Sequence, residues 1–185
     1  CPSARFDRRD RVRYRWGVLQ SVHFLLTYSC LSECDHCFLY CGPRATGTFT
    51  VPRLEEAFEQ GIDAGITSVY FEGGEPFLHY PLLLHGLRLA RDSGLRSGIV
   101  TNGYWARSVE DAVMWLAPIA EIGVDDLSVS NDALHASRLE ESPARFAIEA
   151  ARQLGMPVGS ICIGAGPDAR GDHGAVVGGG VLFKG

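Results

Sequence analysis

Apolar positions along the chain alternate between short continuous runs and helical spacing. Val22-His23-Phe24-Leu25-Leu26 is a run that stops at Tyr28-Ser29-Cys30, which predicts a buried strand. Thr50 is placed to cap a helix with Pro52 in its first turn. Leu54, Ala57, Phe58, Gly61 and Ile62 then recur at helical spacing until Gly65 ends the pattern. A second strand, Ser68–Phe71, runs into Glu72-Gly73-Gly74, and a helix through Leu82–Ser93 stops at Gly94. The third strand, Ser97–Thr101, ends at Asn102-Gly103. Ser108, with Asp111 three residues on, resembles a capping box for the helix carrying Val113, Leu116 and Ile119. Asp126–Ser130 reads as a fourth strand, Pro143–Leu154 as a helix stopped by Gly155, and Val158–Ile163 as a fifth strand. Ala175–Phe183 reads as a sixth strand interrupted by Gly178-Gly179-Gly180.

Strand followed by helix, at least four times over, predicts an α/β fold: a parallel sheet with crossover helices on its outer face. With fewer than eight units the expected architecture is a partial (β/α) TIM-like barrel over residues 21–185, preceded by a leader at 1–20. The chain starts at Cys1 and stops at Gly185 just after Val181-Leu182-Phe183, so the barrel is expected to be truncated at its C-terminus. Parallel sheets place ligands at the carboxyl ends of their strands. That is where the unusual residues fall: cysteines after the first strand, Gly73-Gly74-Glu75-Pro76 after the second, Thr101-Asn102-Gly103 after the third and Ser130-Asn131-Asp132 after the fourth.

Composition narrows the class. Hydrophobic residues at 46% and charged residues at 21% are ordinary for a globular chain. No apolar run approaches the ~20 residues that cross a bilayer, and residues 1–16 are too polar for a signal peptide, so a cytoplasmic protein with no membrane partner is expected. The net charge of -5 is uneven. Arg5, Arg8, Arg9, Arg11, Arg13 and Arg15 outweigh Asp7 and Asp10, giving the leader +4 and the remainder -9. A basic arm suits nucleic acid or anionic lipid. Without a base-stacking pattern, and with an acidic body behind it, this one reads as a solvated leader, and nucleic acid is not the expected partner.

Cys30, Cys34, Cys37 and Cys41 fall within twelve positions, a ligand cluster in a cytosolic chain. Soft sulfur ligands select zinc, copper(I) or iron–sulfur clusters. Three thiolates on a four-iron cluster leave one iron open for chemistry. Four, with Cys41 included, suit a zinc knuckle or an electron-transfer cluster. Spacing alone leaves these alternatives open. Position at the strand rim favours the open site, with Cys41 as a thiol of the loop.

The cysteine triplet after one strand and Gly-Gly-Glu-Pro after the next together resemble the radical S-adenosylmethionine (radical SAM) superfamily, from about Val22 to Ile163. The resemblance implies an enzyme with Cys30, Cys34 and Cys37 holding a [4Fe–4S] cluster whose open iron binds S-adenosyl-L-methionine. It implies reductive cleavage of that cofactor to a 5′-deoxyadenosyl radical, which takes hydrogen from a substrate, small molecule or peptide. A one-electron reductant of flavodoxin or ferredoxin type is the implied partner. His36, before the last cysteine, is implied near the adenine, and Gly73, Gly74 and Glu75 near the methionine amino group. Thr101 is implied to face cofactor or substrate, and Ser130 and Asp132 to contact S-adenosylmethionine. Asn131 departs from the apolar residue common between those two. His135, Asp168, Asp172 and His173 are polar residues near the rim with weaker claims.

Overall fold

The computed structural model describes residues 19–34, 37–131, 142–162 and 174–176. Six strands, β1 (Ser21–Thr27), β2 (Ser68–Gly73), β3 (Arg96–Thr101), β4 (Asp126–Ser130), β5 (Val158–Cys162) and β6 (Gly174–Val176), form one sheet in sequence order. Every neighbouring pair is parallel. The intervening helices are α1 (Val51–Asp63), α2 (Tyr80–Asp92), α3 (Val109–Ile122) and α4 (Pro143–Gln153). This is the partial α/β barrel the alternation predicted.

Local signals set most boundaries. Ser108 accepts a 3.1 Å hydrogen bond from the Asp111 N–H and starts α3. Thr50 stands at the start of α1, but its side chain makes no capping hydrogen bond; Pro at the helix start fixes the entry instead. Between β2 and α2 the chain makes a 3-10 turn, Pro76–His79, so α2 begins at Tyr80 rather than at Leu82. The expected sixth strand, Ala175–Phe183, is described only as Gly174–Val176; the rest lies outside the described residues, as do the basic leader up to Val18 and His135, Asp168, Asp172 and His173.

Register sorts the side chains. Phe24 pairs with Phe71, Phe71 with Ile99, and Ile99 with Leu127, so one row crosses four strands on the helix-covered face. All four are buried. Phe24, Phe58 and Phe71 stack with centroids 4.8–6.1 Å apart, fastening α1 to the sheet. Burying side chains of this size contributes about 1.5–3 kcal/mol each. On the opposite face His23, Tyr70 and Glu72 are partly solvated, with His23 stacked on Tyr70 and 2.7 Å from Glu72.

Candidate functional site

β1 ends where Thr27 becomes fully buried and turns its hydroxyl to Thr48, 2.9 Å away. Beyond it the chain leaves at Ser29–Cys30 and returns at Gly42–Thr48. The two limbs are tied by Cys30 N–H to Gly42 O (3.2 Å), Gly42 N–H to Tyr28 O (3.3 Å), Tyr28 N–H to Gly47 O (2.9 Å) and the Ser29 hydroxyl to Ala45 O (3.0 Å). The cysteines are thus carried on a closed lasso rooted in the rim. A 3.0 Å hydrogen bond runs from Cys37 N–H to Cys34 O, and Cys34 and Cys37 are partly exposed. Cys30 and Cys41 are buried at the root.

Gly73 and Gly74 are required by the chain itself. Gly73 has φ +129°, and a Cβ there would stand 2.4 Å from Thr27 O. A Cβ on Gly74 would stand 2.1 Å from Ser29 O and 2.6 Å from Ser29 C. No side chain fits against backbone at those distances. The close approach allows Gly74 N–H to reach Thr27 O (2.6 Å) and Glu75 N–H to reach Ser29 O (3.0 Å). The glycine pair therefore welds the turn after β2 to the root of the cysteine lasso.

Glu75 sits at the start of the turn that follows β2. Its side chain is completely buried. Oε1 accepts from Phe77 N–H (3.1 Å) and from the Thr101 hydroxyl (2.8 Å); Oε2 accepts from Asn102 N–H (2.8 Å). Burial pushes its pKa up to about 7, even against these three donors. Thr101 also points inward and is buried, because its alternation along β3 matches Ser97 and Ile99 on the helix-covered face. Its oxygen accepts from Gly103 N–H and from Trp105 Nε1–H, both at 3.1 Å, so its own proton goes to Glu75. Glu75 and Thr101 thus belong to one buried hydrogen-bond network that ties the turn after β2 to the end of β3. Trp105 closes the network from below, stacked on Phe77 at 4.4 Å.

Asn102, which sequence reasoning treated only as part of a polar strand end, proves to be the link to the cysteines. Its Nδ2 lies 3.5 Å from Cys30 Sγ, and Ser32 N–H lies 3.4 Å from the same sulfur. Burial pushes the Cys30 thiol pKa up; the Ser32 N–H pulls it down, nearby Glu75 pushes it up, and the Asn102 amide pulls it down. Only its place directly after β3, level with the end of β1, signalled this residue in the sequence. Ser130, half-buried, ends β4, which pairs with β3 through Thr101 and Val129. His36 and Asp132 lie outside the described residues.

The donor set fits an iron–sulfur cluster. Cys30, Cys34 and Cys37 offer three thiols on one loop, soft donors of the kind such clusters take. A four-iron cluster is a broad body, which separate thiolates grip at its corners.

Comparison with known proteins agrees with this geometry. The profile of the Radical SAM superfamily matches residues 24–170. The putative peptide biosynthesis protein YydG of Bacillus subtilis (strain 168) is 24% identical over 135 residues, covering 72% of this chain and 42% of the relative. Methylornithine synthase (PylB) superposes with a TM-score of 0.59 at 16% identity, over 82% of this chain and 47% of that one. The protein anSMEcpe, solved with bound AdoMet, superposes with a TM-score of 0.61 at 18% identity, over 78% and 43%. The chain spans less than half the length of these relatives.

Proposed function

We propose a function from this premise: the chain belongs to the radical SAM superfamily. In this reading it is a radical SAM enzyme core in which Cys30, Cys34 and Cys37 hold a [4Fe–4S] cluster with one iron open to S-adenosyl-L-methionine. When bound, these groups supply reductive cleavage of S-adenosylmethionine to methionine and a 5′-deoxyadenosyl radical that takes hydrogen from substrate. The observation that carries the reading is the weld between Ser29 and Glu75, which fixes the first cysteine and the Gly-Gly-Glu turn in one rigid body.

The protein's own contribution is placement. The lasso presents Cys34 and Cys37 at the rim while Cys30 anchors it. Backbone of Gly73 and Gly74 borders the place for the methionine amino group, and Glu75 holds that backbone rather than the ligand. Ser130 stands on the next strand end but one as a contact for S-adenosylmethionine, with His36 and Asp132 proposed as further contacts. The reductant is a small one-electron donor of flavodoxin or ferredoxin type in the cytoplasm. The substrate is a small molecule or peptide, bound above the strand ends. No helix among the described residues is long and apolar enough to cross a membrane.

Anaerobic iron–sulfur reconstitution, followed by electron paramagnetic resonance of the reduced protein, tests this. The expected result is a four-iron signal that changes when S-adenosylmethionine is added. Alanine at Cys30, Cys34 or Cys37 should abolish it, while Cys41→Ala keeps it. A signal indifferent to S-adenosylmethionine and dependent on Cys41 would make this an electron-transfer centre. Stoichiometric zinc without a cluster would remove both.

A further inference from the structure

The Asn102 side chain is held at both ends. Its backbone N–H is fixed on Glu75 Oε2 at 2.8 Å, and its Oδ1 accepts from Tyr104 N–H at 3.0 Å. A backbone N–H only donates, so the amide atom facing Tyr104 must be the oxygen. The nitrogen is thereby forced toward Cys30 Sγ, 3.5 Å away. Ser32 N–H approaches the same sulfur at 3.4 Å, and Cys30 is only 8% exposed, so little water competes for it. The buried carboxylate of Glu75 gains a purpose here: through Asn102 N–H it sets where the amide stands.

We infer that Asn102 is a positioning residue for the cluster, its amide donating an N–H···S hydrogen bond to the Cys30 ligand that raises the cluster's reduction potential. The inference rests on the proposed function, since Cys30 must be a cluster ligand. A donor on a ligating sulfur draws electron density from it and favours the state that has gained an electron. The hydrogen bond would thus make a bound cluster easier to reduce by tuning the thiolate ligand nearest the buried network.

The test is an electron paramagnetic resonance redox titration of the reconstituted full chain, made without S-adenosylmethionine. Asn102→Asp keeps an acceptor for Tyr104 N–H and removes the donor; Asn102→Ala removes the donor without adding charge. Both should retain the cluster and shift the one-electron equilibrium toward the oxidised state by about tenfold, or about 59 mV. Unchanged midpoints in both variants, with iron bound as in the parent, would overturn the inference and leave the proposed function standing. Failure of both variants to take up iron, with circular dichroism matching the parent, would assign the amide to assembly and also overturn it. Failure of the parent chain itself to form a cluster would remove the proposed function and this inference together.

Discussion

Between Cys30 and Cys41 the chain turns Leu31, Phe38 and Tyr40 to solvent, Phe38 being 72% exposed, and Tyr40 sits in the left-handed region at φ 55°. Across the same rim, Glu75 is 0% exposed, Thr101 2% and Trp105 3%, and their polar atoms are hydrogen-bonded to one another. The lasso carries the thiols, and the buried side carries the geometry. The contrast teaches that an exposed loop takes its position from the buried, hydrogen-bonded frame in which it is rooted. A loop that must close around a cluster gains little from a packed interior of its own. The turn after β2 and the end of β3 have to be in place beforehand.

Gly74→Ala tests this contrast most severely, because its Cβ would meet the backbone of Ser29, which cannot rotate away. We expect about 3 kcal/mol or more of destabilisation in denaturant unfolding, with loss of cluster uptake. A variant that unfolds like the parent would show that the two segments are not welded. Glu75→Ala should cost a similar amount, about 3 kcal/mol, by leaving Phe77 N–H, the Thr101 hydroxyl and Asn102 N–H without their acceptor.

The same residue predicts a pH dependence. Its pKa is raised from 4.5 to about 7 in the folded chain, so the folded state binds a proton that the unfolded state has released between those values. The contribution is full below about 4.5 and is lost as pH rises through about 7, on the order of 3 kcal/mol in all. Urea unfolding of the apo chain at pH 5.5 and pH 8 should show the fall, and Glu75→Gln should flatten it. An unchanged slope in the Gln variant would assign the pH effect to other groups.

Smaller changes sharpen the comparison. Trp105→Phe preserves an aromatic ring against Phe77 but removes the Nε1–H donor to Thr101, and should cost about 1 kcal/mol. Phe38→Ser, in the exposed lasso, should alter stability by no more than about 0.5 kcal/mol. A thermal shift for Phe38→Ser as large as that for Trp105→Phe would mean that the lasso is packed after all.

Much of this was legible in the chain. Phe24, Phe71 and Ile99 announced buried strands, and Gly65, Gly94 and Gly155 announced helix ends, because period and punctuation are local properties of consecutive residues. The order of the cysteine triplet and the Gly-Gly-Glu turn identified the family from a single sequence. The 3-10 turn at Pro76–His79 escaped notice, since a side chain two residues away in Phe77's neighbourhood, Glu75, is what starts it.

The sequence by itself determined the α/β alternation, the rim on which the polar residues collect and the sulfur donors available there. Only the tertiary structure decided which of those residues are buried and which partners they meet. Glu75 and Thr101 look like ligand contacts in one dimension, yet they are 26 positions apart and meet each other beneath the rim. Asn102 looks like half of a turn and reaches back 72 positions to Cys30. Such pairings depend on parallel register, which brings strand ends side by side, and on alternation, which chooses the side each residue takes. Register is set by packing of the whole sheet, so no stretch of consecutive residues contains it.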